Sequence, residues 1–310
     1  MQVQEFRVER YRSVYDLHVR LGPVNVVTGA NGCGKSNLFN AFVLLRETLL
    51  GSLGGRLVRE GGLKSVLWAG PRTDRRAFIR LSLKADPFEY SMELGLRPES
   101  EFPLFPLDPQ FKSETLKVAG RTMVERRSST ARLRDMEGRF HDFTFLDTFS
   151  LFAQSVDPEA FPYVELLRGS VRKWALFHDL RTDAGAPIRQ PSPSTYPLRV
   201  EEDGSNLASC LYLISAREGF DAMTELLQEA LPESTLLVDS AGLRMRHEGL
   251  LRNTELAELS DGTLKLIHLA AACFFPHPPP LMFFNEPETS LSPAAIPVLA
   301  RLIERAAMNS

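Results

Sequence analysis

Two hydrophobic spacings alternate along this chain. Residues 2–9 and 16–28 hold short alternating or apolar runs, and AFIRLSLK and FEYSMELGL, near 77–84 and 88–96, alternate strictly. Spacing of two places every second side chain on one face, so these segments and 113–119 predict strands of an antiparallel sheet. Between them, Leu38, Phe39, Phe42, Leu45 and Leu49 recur at helical spacing through Lys35–Leu50. Further on, 145–178 carries mixed helical signals, 206–231 predicts two helices, 234–248 predicts strands, and a last helix is expected from Pro293. An apolar strand is expected to end at Asn285-Glu286.

Prolines at 98, 103, 106 and 109, and again at 187, 191, 193 and 197, mark loops. No internal repeat is visible, and no heptad run survives the prolines, which excludes a long coiled coil. Hydrophobic content of 44% and charged content of 24% belong to an ordinary globular chain. A net charge of -3 argues against a generally basic nucleic-acid binder. Three dispersed cysteines, Cys33, Cys210 and Cys273, have no metal spacing and fit a reducing compartment. The charged start MQVQEFRVER is not a signal peptide, and the apolar run near 269–275 is too short to span a bilayer. No membrane insertion and a cytoplasmic location are therefore expected.

Residues 29–36 read GANGCGKS, a G-x-x-x-x-G-K-S loop between the apolar run Val24-Asn25-Val26-Val27 and a helix. Glycines let backbone approach a phosphate closely, and the helix dipole behind the loop favours negative charge. The N–H groups from Asn31 through Gly32, Cys33 and Gly34 to Lys35 are expected to wrap the β-phosphate. Lys35 would pair the β- and γ-phosphates, and the Ser36 hydroxyl would hold Mg²⁺. Asn37 adjoins this set. ATP and Mg²⁺ are the expected ligands.

Residues 259–293 narrow the chemistry further. Ser260 and Gly262 form a Ser-x-Gly turn at a helix start, where hydroxyl and N–H groups make an anion nest. With a conventional sheet order this turn cannot reach its own chain's phosphate loop but can reach a γ-phosphate held by a partner. Downstream, Glu286 is the candidate that orients or deprotonates the attacking water. Asn285 stands where an Asp usually supports Mg²⁺ through water. Its amide accepts a hydrogen bond but carries no charge, so weaker Mg²⁺ affinity is expected.

These motifs resemble those of ABC-type ATPases of the RecF and SMC-like group, in particular its small members without a coiled coil. RYRSVYDLHVRLGPVNVVTGANGCGKSN is similar to the group's opening, LSDGT to its signature, NEPETSL to its Walker B motif, and Ser290-Leu291-Ser292-Pro293 to its D-loop. The resemblance covers the two ends of the chain; the middle matches loosely. It implies an α/β P-loop NTPase with an ABC-type head, a mixed sheet, an antiparallel β subdomain and a helical lobe. Its two head lobes would span 1–95 and 206–310, with an inserted lobe at 96–205. It further implies that Arg12 contacts nucleotide and that Gln154 senses Mg²⁺ and the γ-phosphate. A homodimer that sandwiches ATP follows, with a role in DNA repair, recombination or phage defence and with DNA or a nuclease as possible partners.

The sequence departs from the group in three ways: Asn285, Cys33 where Ser is commoner, and an end at Ser310 before the strand whose His contacts the γ-phosphate. Either a truncated form or a protein working without that His is expected, and weak hydrolysis in both cases. An interaction module that scarcely hydrolyses ATP, and the ATPase subunit of a transporter, are the alternatives. Arginines at 121, 126, 127, 132, 134 and 139, and at 72, 75 and 76, suggest a phosphate-backbone surface, yet interspersed acids favour a solvated one. The string HDLRTD, from His178 to Asp183, receives no role.

Overall fold

The computed structural model describes residues 1–71, 77–97, 108–191, 195–239 and 242–308. The chain divides into two compact units, Met1–Trp174 and Ala175–Ser310. Arg72, Arg75 and Arg76 lie outside the described residues.

The first unit is built on eight strands: β1 (Val3–Tyr11), β2 (Val14–Arg20), β3 (Phe78–Ala85), β4 (Phe88–Leu96), β5 (Pro109–Val118), β6 (Arg121–Arg127), β7 (Thr130–Arg134) and β8 (Phe140–Thr144). They form one antiparallel sheet in the order β2-β1-β3-β4-β5-β6-β7-β8. The alternation read from the sequence is the cause. Val3, Phe6, Val8 and Tyr11 of β1 are buried while Glu5, Arg7 and Glu9 face the other way. On the polar face Arg80 bonds both Glu9 and Glu93, and Arg7 bonds Asp16.

Among the described residues four α-helices accompany this sheet: α1 (Lys35–Leu50), α2 (Leu53–Arg59), α3 (Leu63–Val66) and α4 (Pro162–Arg172). The helical stripe of α1 is buried, and Phe42 stacks on Phe6 with ring centroids 4.0 Å apart. Burying a side chain of that size contributes about 2–3 kcal/mol. Gly51, at φ 87°, closes α1 by donating to Glu47 and Thr48 carbonyls. Inside the sheet Glu114 is fully buried, but it pairs with Arg126 and accepts from Tyr90, Ser150 and Leu151 N–H. Full satisfaction makes this buried charge tolerable.

The second unit pairs β9 (Ala175–Phe177) in parallel with β13 (Met282–Phe284) and carries a separate antiparallel sheet of β10 (Ser234–Asp239), β11 (Gly242–His247) and β12 (Thr254–Glu255). Its helices are α5 (Leu207–Ser215), α6 (Phe220–Ala230), α7 (Asp261–Phe274) and α8 (Ala295–Met308). α7 is buried from Leu266 through Cys273, and its alanines let neighbours pack closely. His268, wholly buried, is satisfied by the Glu201 carbonyl at 2.9 Å, and burial pushes its pKa down. Among the described residues no helix is long and apolar enough to cross a membrane.

Two expectations are corrected. The apolar run ahead of the phosphate loop is not a buried strand: β2 ends at Arg20, and Val24 and Val26 are 42% and 82% exposed. Asn25 folds back on Gly22 through two hydrogen bonds of 2.8 and 2.9 Å, and no described strand pairs with 23–28. An apolar run becomes a strand only where a ladder partner exists. The last helix starts at Ala295 rather than Pro293, after a turn in which Ala295 N–H bonds the Ser292 carbonyl at 2.9 Å.

Candidate functional site

The phosphate loop leads into α1 through two glycines at positive φ, Gly32 at 80° and Gly34 at 101°. A side chain at either would be strained, and Gly34 serves as the cap of α1. Lys35 folds over the loop, its Nζ donating to the Gly29 and Ala30 carbonyls at 2.5 and 2.9 Å. The ammonium thus occupies acceptors of its own loop, contacts a phosphate would have to replace. Cys33 is exposed, and its Sγ lies 2.7 Å from where a Cβ on Gly29 would be. Behind the loop Asn37 donates to Ser13 Oγ at 2.7 Å, and the same hydroxyl would meet a Cβ on Gly34 at 3.0 Å. Arg12, at φ 51°, pairs with Glu60 at 2.9 Å and remains part-exposed.

Gln154 closes a short 3-10 turn, Leu151–Ala153. Its amide is engaged at both ends, accepting from Leu146 N–H at 3.0 Å and donating to the Leu146 carbonyl at 2.9 Å. Of the arginines at 121–139, Arg126 is buried against Glu114, Arg132 lies near Asp142, and Arg139 reaches Asp135 and Glu137. These three are each paired with an acid, and the alternating burial of β6 and β7 puts Arg126 on the buried face while Arg127 and Arg132 lie on the exposed one.

In the second unit the Ser-x-Gly turn is formed as expected. Ser260 caps α7, its Oγ accepting from Thr263 N–H at 3.2 Å and pairing with Thr263 Oγ1 at 2.8 Å. Ser260 and Asp261 are exposed, and the first N–H groups of the helix have no intrahelical acceptor. Gly262 is needed for a different reason from the loop glycines. A Cβ there would meet the Ser290 carbonyl oxygen well inside the 3.0 Å that real Cβ contacts respect. The turn therefore touches the segment 290–293 backbone to backbone.

Three residues without a sequence-based role hold this region. Arg189, its side chain 10% exposed, donates through Nη1 to the Ala257 and Leu259 carbonyls and through Nη2 to Asp261, each at 2.8 Å. Lys265, on α7, donates to the carbonyls of Glu286 and Thr289, both at 2.9 Å. Half-burial pulls the Lys265 pKa down, opposed by the charges of Glu288, Asp179 and Glu286. Glu286 and Ser290 both take positive φ, 48° and 69°, which costs a non-glycine residue on the order of 1 kcal/mol. Lys265 spans that strained turn. The third is His178, whose Nδ1 lies 3.0 Å from Asn285 Nδ2. None of the three had a local signal, since each acts across 21 to 107 residues of sequence.

Ser36 in the first unit and Asn285 in the second each offer one hard oxygen donor, a hydroxyl and an amide oxygen, of the kind Mg²⁺ accepts when phosphates and waters complete its shell. Among the described residues no group of three or more His, Cys, Asp or Glu could hold a metal by itself. This donor chemistry fits a metal brought with a nucleotide better than a protein-only cage.

The sequence matches, over residues 24–309, the model of the family described as "AAA domain, putative AbiEii toxin, Type IV TA system". No curated protein matches. Among solved structures the chain is similar to one titled "Crystal structure of the SmcHead bound to the C-winged helix domain of ScpA", with a TM-score of 0.52, 15% identity, and coverage of 100% of this chain and 88% of that one. At that identity the likeness concerns the fold, a mixed α/β P-loop ATPase head. A second, "Structural biochemistry of ATP-driven dimerization and DNA stimulated activation of SMC ATPases", covers 56% of this chain and 98% of its own at 13% identity. Its TM-score of 0.21 carries no argument. The chain belongs to the AAA-domain family named above.

Proposed function

We propose that this member of the AAA-domain family binds Mg·ATP on residues 29–37 and closes around it as a homodimer, Lys35 of one chain facing Ser260 and Gly262 of the other. The observation that carries the reading is the exposed, glycine-dependent turn at the start of α7, whose backbone packs on Ser290 in the segment that follows Glu286. With Thr263 N–H taken by Ser260 Oγ, the N–H groups of Asp261 and Gly262 at the start of α7 would suit a γ-phosphate. Asn31, Gly32, Cys33 and Gly34 would line the β-phosphate, and Arg12 would approach the nucleotide after releasing Glu60. Mg²⁺, carried in with the phosphates, would neutralise their charge while held by Ser36 and supported by Asn285. Glu286 would orient the attacking water. Gln154 would join them only by surrendering its bonds to 146–150, which makes it the costliest member of the set.

Binding energy would thus drive association, and hydrolysis would reverse it. A use in DNA repair, recombination or phage defence fits such a switch, with DNA or a nuclease as partner. The uncharged Asn285 favours a second reading, a nucleotide-dependent interaction module with little turnover. The partition into two lobes of one head, 1–95 and 206–310, with an inserted lobe at 96–205, and a cytoplasmic location remain parts of the proposal.

Light scattering on the Glu286→Gln protein tests it: a stable dimer is expected with ATP and Mg²⁺, and a monomer for Lys35→Ala. A Glu286→Gln protein that stays monomeric at saturating ATP would sink the reading. Near-zero turnover with intact affinity selects the module over the hydrolase.

A further inference from the structure

Asn285 raises a problem that an Asp would not. A carboxylate presents oxygen whichever way it turns, whereas a carboxamide presents oxygen on one side and an NH₂ on the other. Support for a metal-bound water requires the oxygen, so the amide must be held in one of its two orientations. The fold contains a group able to do this. β9 and β13 run parallel, with Phe177 beside Phe284, and the Asn285 N–H extends the ladder to the Phe177 carbonyl at 2.8 Å. The next side chains along the two strands are therefore neighbours, and the Asn285 amide nitrogen meets His178 Nδ1 at 3.0 Å. Stacking of Phe177 on Phe284, 5.2 Å between centroids at 8°, fixes the register beneath them. Carboxyl ends of adjacent parallel strands are also where open α/β sheets bind ligands.

We propose that His178 is a positioning residue for the nucleotide-bound metal. Its Nδ1 accepts from Asn285 Nδ2 and turns the amide oxygen Oδ1 to the opposite side, where it can receive a water of the Mg²⁺ shell. An amide NH₂ can only donate, so Nδ1 carries no proton and Nε2 does. His178 compensates for the missing carboxylate: it supplies no charge, but it fixes the orientation that the carboxylate would not have needed. The inference rests on the assignment of Asn285 to Mg²⁺ in the proposed function.

Titration of the full-length protein with a fluorescent ATP analogue, in excess Mg²⁺ and in EDTA, tests it across four proteins: wild type, His178→Ala, Asn285→Asp and the double variant. Outer-shell partners of a metal site typically carry a tenfold effect, so His178→Ala should weaken affinity about tenfold in Mg²⁺ and leave the EDTA affinity unchanged. The double variant should bind like Asn285→Asp alone, because an Asp needs no orientation. An equal loss in EDTA, or a double variant as weak as His178→Ala, would overturn the proposal. Nitrogen-15 spectra of the nucleotide-free protein provide a readout that needs no ligand. The neutral His178 ring should carry its proton on Nε2, and a proton on Nδ1 would refute the pairing. If Lys35→Ala binds the analogue as tightly as wild type, the failure lies in the underlying reading instead, even where the His178 spectrum is as expected.

Discussion

The phosphate loop of the first unit and the Ser260–Gly262 turn of the second both depend on glycine, but for different physical reasons. At Gly32 the need is conformational: φ is 80°, and nothing lies within 4 Å of where a Cβ would stand. At Gly262 the need is steric, because the Ser290 backbone fills that space. The loop is held by its own lysine, while the turn is held by Arg189, by Lys265 and by backbone contact with its neighbour. A loop that satisfies itself can exchange those bonds for a ligand at small cost. A turn locked to the residues after Glu286 cannot move without moving them. The contrast is between a loop held by itself and a turn braced by its neighbours.

Gly262→Ala is the strongest way to break this contrast. A methyl group has no room against the Ser290 carbonyl, and the colliding group is backbone that cannot rotate away. Overpacking of this kind costs about 3 kcal/mol. Urea unfolding should show that loss, and the surviving fold should fail to dimerise with ATP. Stability within a few tenths of a kcal/mol of wild type would mean that the turn and the Ser290 segment separate freely.

Next in size is Lys265→Met, which keeps the apolar stem and removes the ammonium. Two carbonyls, those of Glu286 and Thr289, lose a charged donor, a change worth about 2 kcal/mol. Amide exchange at 286–291 should accelerate while that of the phosphate loop stays unchanged. Acceleration in both places would show that the two elements are not independent. Gly32→Ala should then be mild, about 1 kcal/mol of backbone strain without any clash. Its effect belongs in nucleotide affinity, measured by titration, more than in the unfolding midpoint.

Much of this contrast was legible in the sequence, and the exceptions share a cause. Strands β1, β3 and β4 announced themselves because one face of the sheet is buried and the other solvated, which alternation records directly. Helix α1 was equally plain, and Ser260 proved a helix cap as its residue type suggested. Val24–Val27 is apolar but has no ladder partner among the described strands, and strand pairing is not a local property. His178 carries no local signal within HDLRTD because its significance lies in the parallel pairing of β9 with β13. Arg126 looked like a surface cation until β5 placed Glu114 opposite it. What the pattern records is burial, and what it omits is which distant residue comes alongside.

Acid offers the gentlest probe, because among several carboxylates held low in each unit one is held far down. In the first, the His141 hydrogen bond holds Asp135 down at about 2, against an ordinary value of 3.8. In the second, Arg252 holds Glu258 down at about 2, against 4.5, in the capping box that leads into Ser260. A carboxylate with a lowered folded pKa stabilises fully above its unfolded value, and the contribution fades as pH falls towards the folded one. Stability should therefore decline between about pH 5 and about pH 2, and urea midpoints at about pH 5.5 and about pH 3 should differ in the wild type. Asp135→Asn and Glu258→Gln should each remove part of that difference. Only Glu258→Gln should speed amide exchange at Leu264, one turn into α7, because of the two carboxylates Glu258 is the one in the approach to that helix. Equal acceleration at Leu264 from Asp135→Asn would mean that the second unit's rigidity is borrowed from the first rather than built by Arg189, Lys265 and the Gly262 contact.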